Sequence, residues 1–435
     1  MMSFLIIYMK HILIFSKANN IVNRLFIITI LVLLTVSQLS GQAIKVDAEV
    51  RSRGEYRDGF QEPLADTLNP VYVNNLRTKL NFTYSASDVR AKISLLDTRT
   101  LGATDVSRTG NGLGILEAWG EYDFTPEFSF SLGRQGLEYD DKRLFSHNNW
   151  SNTPGAHDIL LLKYNSPILT VHIGTAYNNA NDANFKSLTP YTLTYKTLNL
   201  IRIEKRFGLL SASTLWINDS FESGTEGNIT TNYRNTIGGN LWLTDKKKPF
   251  TMLATAYYQF GRDKLHKELS AYLLAFSAQQ RLNDKYSLQI GSDIHSGSAY
   301  DIDVKKSNTF NKLYGSNHSF NGSMEYWRNL PAQGLIDIYA GATARFSPKF
   351  DINMTYHYFC TAKEINADGK KGIGSEIDII VNYTFNNQFA LQGGWSAYLT
   401  NDGTDILKRK TGIDTRFPQW AYFQLTFKPV FFNKQ

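Results

Sequence analysis

Basic side chains stand at alternating positions in three segments between residues 51 and 92. An arginine guanidinium holds a carboxylate or phosphate through two parallel hydrogen bonds, and a lysine adds a mobile positive charge. If these side chains share one face, they predict a preference for carboxylates, phosphorylated solutes or uronate polymers. The set consists of Arg51, Arg53, Arg57, Arg77, Lys79, Arg90 and Lys92.

Acidic residues occupy the same alternating positions, chiefly Glu49, Glu117 and Glu121. The opposite charges can therefore pair across neighbouring strands and hold a wall together, and this interpretation is as well supported as anion selection. Both can be true at once. The formal net charge is +7 over 435 residues, so the composition indicates only a weak preference for anions.

These residues belong to segments with a period of two. In 44–57 the even positions are apolar, small or aromatic and the odd positions are all charged. Only a β-strand sends alternate side chains to opposite faces, whereas a helix would mix the two sets. The pattern recurs along the chain and predicts about 18 strands of the length that spans a membrane.

Short turns alternate with long connections, such as 137–156, 220–230 and 297–333. This arrangement is typical of a transmembrane barrel, in which short turns lie at one end and long loops at the other. Strands cross hydrocarbon only as a closed barrel, because every backbone polar group must be paired. We therefore predict an all-β, closed antiparallel transmembrane β-barrel of about 18 strands, with 16 as the alternative.

Aromatic residues make up 13% of the chain, and several lie on the predicted strands. Aromatic side chains form girdles where a barrel wall meets the two membrane surfaces. The candidates for these girdles are Trp242, Tyr257, Phe260, Tyr356, Trp395, Trp420 and Tyr422.

The first 42 residues have the features of a secretory signal peptide. Lys17 and Arg24 precede an apolar core at 25–37, and small or polar residues follow it. We predict cleavage near residues 41–43 and a barrel over 43–435, with Met9 as an alternative start. This assignment places the protein in the outer membrane of a Gram-negative cell envelope and makes nucleic acid an implausible partner.

Few residues in the sequence form a pattern that suggests catalysis. Asp140 and Asp141 with His147 or His157 would suit a hydrolase at the barrel rim, but a solvated acidic loop explains them better. The single cysteine, Cys360, excludes an intrachain disulfide and a cysteine zinc site. The sequence contains no nucleotide-binding glycine motif and no His-Glu-x-x-His motif. We predict a protein that is not an enzyme and that has no metal or cofactor.

Several short stretches, in this order, resemble the alginate-export family of outer-membrane porins. They are Arg51-Ser-Arg-Gly-Glu-Tyr-Arg57, Asn75-Leu-Arg-Thr-Lys-Leu80, Leu95-Leu-Asp-Thr-Arg99, Glu117-Ala-Trp-Gly-Glu-Tyr122, Leu132-Gly-Arg-Gln135, Tyr139-Asp-Asp-Lys-Arg-Leu144 and Tyr314-Gly-Ser-Asn-His318. The resemblance implies an 18-stranded barrel with a basic, selective interior, but it specifies no substrate.

The motifs add Arg99, Arg134 and Arg143 to the predicted anion path. Strict alternation would put Arg134 on the lipid face, so either Gly133 marks a bulge or Arg134 lies at the rim. Asp97 and Arg99 show a similar change of parity after Leu95-Leu96.

Together these features predict a monomeric porin for passive passage of small solutes or anionic glycans, in the manner of alginate transport. Its predicted partners are outer-membrane lipid, lipopolysaccharide, the barrel-assembly machinery and the solute or anionic oligosaccharide. The alternative is a barrel that does not conduct, and serves adhesion or rim-site hydrolysis. Loops 137–156 and 297–333 are the candidates for a constriction or lid.

Overall fold

A computed structural model of the chain describes residues 42–102, 112–180, 182, 187–245 and 249–434. The predicted signal peptide, apart from Gln42, lies outside these residues and stays a prediction. Within the described residues the chain forms 20 strands and one short helix. No helix in this part of the chain is long and apolar enough to cross a membrane.

Apart from one two-residue strand, which pairs in parallel, the strands follow one another in a single antiparallel wall. They are β1 (Ala43–Asp58), β2 (Val71–Ser85), β3 (Val89–Thr100), β4 (Gly114–Asp123), β5 (Phe128–Gln135), β6 (His157–Asn165), β7 (Leu169–Tyr177), β8 (Thr197–Phe207), β9 (Leu210–Thr225), β10 (Asn228–Asp245), β11 (Phe250–Arg262), β12 (Glu268–Arg281), β13 (Tyr286–His295), β14 (Lys306–Ser307), β15 (Leu335–Ser347), β16 (Phe350–Cys360), β17 (Gly372–Asn386), β18 (Phe389–Leu399), β19 (Gln419–Phe427) and β20 (Val430–Lys434). Helix α1 (Asp402–Lys408) precedes β19.

The wall closes on itself because β1 pairs with β2 on one side and with β19 and β20 on the other. Strand β20 continues β19 beyond Pro429, and β14 is a two-residue strand that pairs with the start of β12. The barrel therefore has 18 strands, which confirms the predicted fold class and count. Closure leaves no strand edge unpaired in the wall, as hydrocarbon requires.

Connections of very different length separate the two ends of the barrel. The end with short connections, such as 348–349 and 387–388, is called the turn end, and the other the loop end. Two long loops leave the loop end: loop A (136–156) and loop B (296–334). The predicted loop at 220–230 is wrong, because β9 and β10 stay paired as far as Thr225 and Asn228.

Side chains alternate between an outer and an interior face. Along β12, Tyr272, Leu274 and Phe276 point outward and are exposed, while Leu273 and Ala275 point inward and are buried. The exposed outer face is apolar, as a surface in contact with lipid must be.

The interior is filled in part by loops A and B. Leu144 and Phe145 of loop A and Phe310 of loop B pack against interior side chains of β6 to β12, such as Leu198 and Leu215. A second cluster packs loop B residues Tyr326 and Trp327 against β16 to β19. These contacts bury apolar surface inside the barrel and fix both loops there.

Three of the aromatic residues predicted for the membrane girdles lie inside the barrel instead. Tyr257, Trp420 and Tyr422 lie inside the barrel, whereas Phe260, Tyr356 and Trp395 are exposed on its outer face. Leu116 alternates with Glu117 in the sequence, yet both are buried, because the β3–β4 register shifts beside Leu116. The bulge turns Leu116 and Glu117 to the same side.

The two faces give a test of the membrane-spanning arrangement. Leu274→Arg places a charge at the middle of an outer face and should lower the free energy of unfolding by about 2–4 kcal/mol. The matched change Gln289→Arg, on the interior face of β13, should have little effect. Urea titration in lipid vesicles measures both. Equal losses would contradict the assignment of faces.

Candidate functional site

Three arginines of adjacent strands meet inside the barrel. Arg51 and Arg53 occupy alternate positions on β1, and Arg77 of β2 lies opposite Arg51 in the strand register. Only 2%, 7% and 1% of these residues, respectively, is exposed. We call Arg51, Arg53 and Arg77 the arginine cluster.

The arginine cluster surrounds the tip of loop A, residues 149–152. Arg51 donates to the backbone oxygens of Asn149, Trp150 (3.0 Å) and Ser151 (3.2 Å) and to Oδ1 of Asn152 (2.9 Å). Arg53 donates to the Trp150 carbonyl at 3.0 Å. Arg77 reaches the carbonyls of Asn149 at 3.0 Å and Ser151 at 2.7 Å. The tip thus satisfies the cluster with uncharged oxygens.

The arginines differ in their acidic partners. Arg53 bonds Glu55 at 2.9 Å, and Arg77 bonds Glu49. Arg51 makes no ion pair with any residue that the structure describes, and its Nε has no hydrogen-bond partner there. Arg51 is therefore a buried cation whose acceptors are all neutral.

Trp150 holds the tip from the opposite side. Its ring stacks on His318 of loop B with centroids 3.9 Å apart, and the Arg53 guanidinium lies 4.2 Å from the ring centroid. His318 in turn lies 3.3 Å from Glu325. Burial raises the pKa of Glu325, but the neighbouring His318, Arg328 and Gln61 outweigh it and leave that pKa below its usual value.

Two cavities meet at this tip. One of about 730 Å³ lies toward the loop end and is lined by Arg53, Arg57, Trp150 and Trp420. The other, of about 360 Å³, reaches the turn at 387–388. It is lined by Arg51, Trp150, Asn382, Gln392 and Gln424, among others. Trp150 lines both cavities, with Arg53 on one and Arg51 on the other, so the tip of loop A and the arginine cluster lie between them. This region is called the constriction.

Three of the other four predicted cations of β1 to β3 line the interior in ion pairs. Arg57 pairs with Glu55 at 2.8 Å, and Arg90 pairs with Glu121 at 3.0 Å. Lys92 contacts Glu117. Lys79 forms no ion pair or hydrogen bond with the side chains that the structure describes, and it lies opposite Glu49 in the register.

Two predicted path residues lie on the outer face. Arg99 is opposite the outward Leu76 and contacts Asp97 at 2.7 Å. Arg134 is opposite Ala118 and contacts Asp158 at 3.0 Å. The β4–β5 register is continuous at Gly133, so there is no bulge there, and Arg134 lies near the loop end of β5. The prediction that Arg99 and Arg134 line the interior is therefore wrong, because both lie on the outer face near the rim.

Arg143 anchors the base of loop A. It contacts Asp141 at 2.9 Å and Asp293 of β13 through two hydrogen bonds of 2.5 and 2.8 Å. Its guanidinium also lies 4.0 Å from the Phe320 ring centroid of loop B. The base of loop A is thus fixed by two carboxylates and an aromatic ring, in contrast to its tip.

The sequence analysis missed an acidic wall on β15 to β17. The Ser323 and Met324 N–H groups of loop B donate to Asp378 (3.2 Å) and Glu376 (2.7 Å). His357 Nδ1 lies 2.9 Å from Asp337. The alternation Glu376-Ile-Asp378 was the available signal, because it places two acids on one face of a strand.

The residues of the alternative, a rim hydrolase, do not come together. Asp140 contacts Arg202 and Tyr257, each at 3.0 Å, and Asp141 accepts from Thr255 at 2.7 Å. His157 contacts the Tyr195 hydroxyl at 3.0 Å, and His147 the Gly155 carbonyl at 2.7 Å. Neither acid is hydrogen-bonded to either histidine. Among the described residues, no three acidic, histidine or cysteine side chains are grouped to hold a metal ion.

Comparison with known proteins gives both a family and a fold. Residues 43–398 match the family model described as alginate export. OccAB4 of Acinetobacter baumannii is similar in structure, with a TM-score of 0.61 and 15% identity over 91% of this chain and 99% of that chain. OpdK, an outer membrane protein of Pseudomonas aeruginosa, has a TM-score of 0.60 and 13% identity, over 89% and 99% respectively. At these identities the structures share the fold. No curated protein sequence matches the chain significantly.

Arg143→Ala tests the anchoring of loop A. It leaves Asp293 and Asp141 buried without their cation, which should cost about 3–5 kcal/mol. The neighbouring Lys142→Ala removes an exposed pair with Glu138 and should cost about 0–1 kcal/mol. Urea titration gives both values, and limited proteolysis should show cleavage within loop A only in Arg143→Ala. Comparable stability of the two variants would contradict the anchoring role.

Proposed function

The chain belongs to the alginate export family, and from this premise we propose that its outer-membrane β-barrel is a porin that passes small anionic solutes or anionic oligosaccharides. The observation that carries the proposal is the constriction, where three arginines and Trp150 separate two cavities. Rings of charge at a constriction select the sign of the solute that passes.

The cations of β2 and β3 support this selection. Lys79, Arg90 and Lys92 continue the basic wall from the arginine cluster toward the turn end, which is the periplasmic end in an outer-membrane porin. Most of these charges are paired with acids, so they also hold the wall together. Lys79 has no such partner among the described residues, and we propose that it faces the passing solute.

An uncharged wall on β17 to β19 favours a solute that carries hydroxyl groups. Tyr422 donates to Gln392 at 3.0 Å, and Gln392 donates to Asn382 at 2.8 Å. The Gln424 Oε1 atom lies buried beside them with no hydrogen-bond partner in the described residues. Amides offer both a donor and an acceptor, as vicinal hydroxyls require. A sugar acid would meet amides on this wall and cations on β1 to β3.

A barrel that does not conduct is the second candidate. The packing of loops A and B into the interior favours it, because their apolar clusters occupy much of the loop end. The two functions differ in one measurable property, since a barrel that stays plugged carries no ionic current.

We also propose that residues 1–42 are a signal peptide removed on export, and that the barrel-assembly machinery inserts the remaining chain. The apolar outer face would lie in lipid and lipopolysaccharide with the barrel as a monomer, and the transport needs no cofactor or catalysis.

Single-channel recording of the refolded protein in planar bilayers tests the proposed function. In a potassium chloride gradient the reversal potential should show that chloride permeates better than potassium. Trigalacturonate, a carboxylated trimer, should alter the current at a lower concentration than the neutral maltotriose does. The absence of current under every condition would overturn the porin proposal in favour of a plugged barrel, and cation preference would overturn the anionic solute.

Lys79→Glu should lower the ratio of anion to cation permeability several-fold, because it replaces an interior cation with an anion. Lys349→Glu makes the same change of charge in the short connection at the turn end, outside the constriction, and is the control. The same recordings measure both variants. An unchanged ratio in Lys79→Glu would show that Lys79 does not face the path.

A further inference from the structure

We propose that the tip of loop A is an internal ligand of the arginine cluster, and that an anionic solute opens the constriction by displacing it. The proposal rests on the proposed function and adds how the same site is regulated. With the tip in place, the guanidinium groups donate to the backbone oxygens of 149–151. These are the donors that would otherwise bind the carboxylate oxygens of a solute, and we call this arrangement closed.

The bonds from the arginines to the tip make this displacement necessary for direct anion binding. The cluster is almost fully buried, and each of its three guanidinium groups donates to the tip of loop A. Arg51 and Arg53 also line the two cavities, but a solute carboxylate reaches the N–H groups that bind the tip only after the tip has moved. If the tip never moved, these N–H groups would stay bound to it and would not bind the solute.

Arg51 supplies the driving force. A buried charge is costly unless it is paired, and Arg51 has only neutral acceptors and an unpartnered Nε. A carboxylate brings a full negative charge to the guanidinium and offers two parallel hydrogen bonds in a fixed geometry, whereas a carbonyl oxygen is uncharged. A carboxylate therefore satisfies Arg51 better than the carbonyl groups of the tip do.

Loop A is built so that its tip can move while its base stays. At the base, Arg143 is held by Asp141 and Asp293, and Leu144 and Phe145 lie in the apolar cluster. At the tip, the arginine cluster donates to uncharged oxygens, Trp150 stacks on His318 and Asn149 donates to Glu49 at 3.4 Å. The adjoining Asn148 donates to Ser316 at 2.8 Å. The tip itself carries no charged side chain, in contrast to Arg143 at the base, and it is the end that would have to move.

A reversible cross-link between the loops tests the proposal. In a Cys360→Ser background, Asn148→Cys with Ser316→Cys replaces two side chains whose polar atoms lie 2.8 Å apart. Oxidation would tie the tip to loop B, and reduction would release it. Currents are recorded with trigalacturonate added on the loop side, with maltotriose as the neutral control.

In the reduced protein, trigalacturonate should raise the time spent in the open state, and maltotriose should not. In the oxidised protein neither sugar should change it. If oxidised and reduced channels respond alike, or if the channel is already fully open before trigalacturonate is added, the tip is not a gate, although the porin function stands. A wild-type protein without current would instead contradict the proposed function.

Arg51→Gln tests the site without any cross-link. It keeps a hydrogen-bond donor for the tip but removes the unpaired charge, so about tenfold more trigalacturonate should be needed for opening. Arg206→Gln changes an exposed interior arginine on β8, paired with Glu204 at 3.3 Å, and should leave the response as in the wild type. An unchanged response in Arg51→Gln would refute the role of Arg51 as the anion receptor.

Discussion

The interior of the barrel depends on how the backbone of two inward-folded loops is satisfied. Peptide groups taken out of water must find hydrogen-bond partners, or each costs free energy. Here the charged walls supply them. Arginines of β1 and β2 donate to the carbonyls of loop A, and Asp378 and Glu376 of β17 accept from N–H groups of loop B. The cations of β1 and β2 thus meet carbonyl groups and the acids of β17 meet N–H groups, so each charge binds the pole of the peptide group that suits its sign.

This arrangement gives the charges two roles. An arginine such as Arg77 stabilises the fold through Glu49 and the tip carbonyls, and the same guanidinium is the group that an anion would meet in a constriction. The two interpretations of the alternating charges, wall pairing and anion selection, therefore concern the same atoms. The two roles separate at individual residues. Arg90 contacts Glu121 and Asp123, which is wall pairing, whereas Lys79 has no carboxylate hydrogen-bonded to it in the described residues.

The period of two predicts the strands, because it follows from backbone geometry alone. It does not say what covers the interior face. The run Ile159-Leu-Leu-Leu162 is apolar on both faces because Ile159 and Leu161 meet the loops inside the barrel. For the same reason Trp420 could be assigned to an outer girdle by residue type, whereas the fold buries it against Phe60 of a connecting loop. Such contacts join residues far apart in sequence, and no local pattern encodes them.

The candidate site likewise combines a pattern that is visible in the sequence with contacts that no local pattern encodes. The alternation at Arg51 and Arg53 is visible in the sequence, but their convergence on residues 149–152 arises from the path of loop A within the barrel. At the base of that loop, Arg143 is paired with two carboxylates. At its tip, the β1 residue Arg51 is paired with none among the described residues. Since a buried ion pair loses several kcal/mol when one partner is removed, the base stays fixed. At Arg51 one set of acceptors can replace another, so the absence of a carboxylate there is what makes the tip exchangeable.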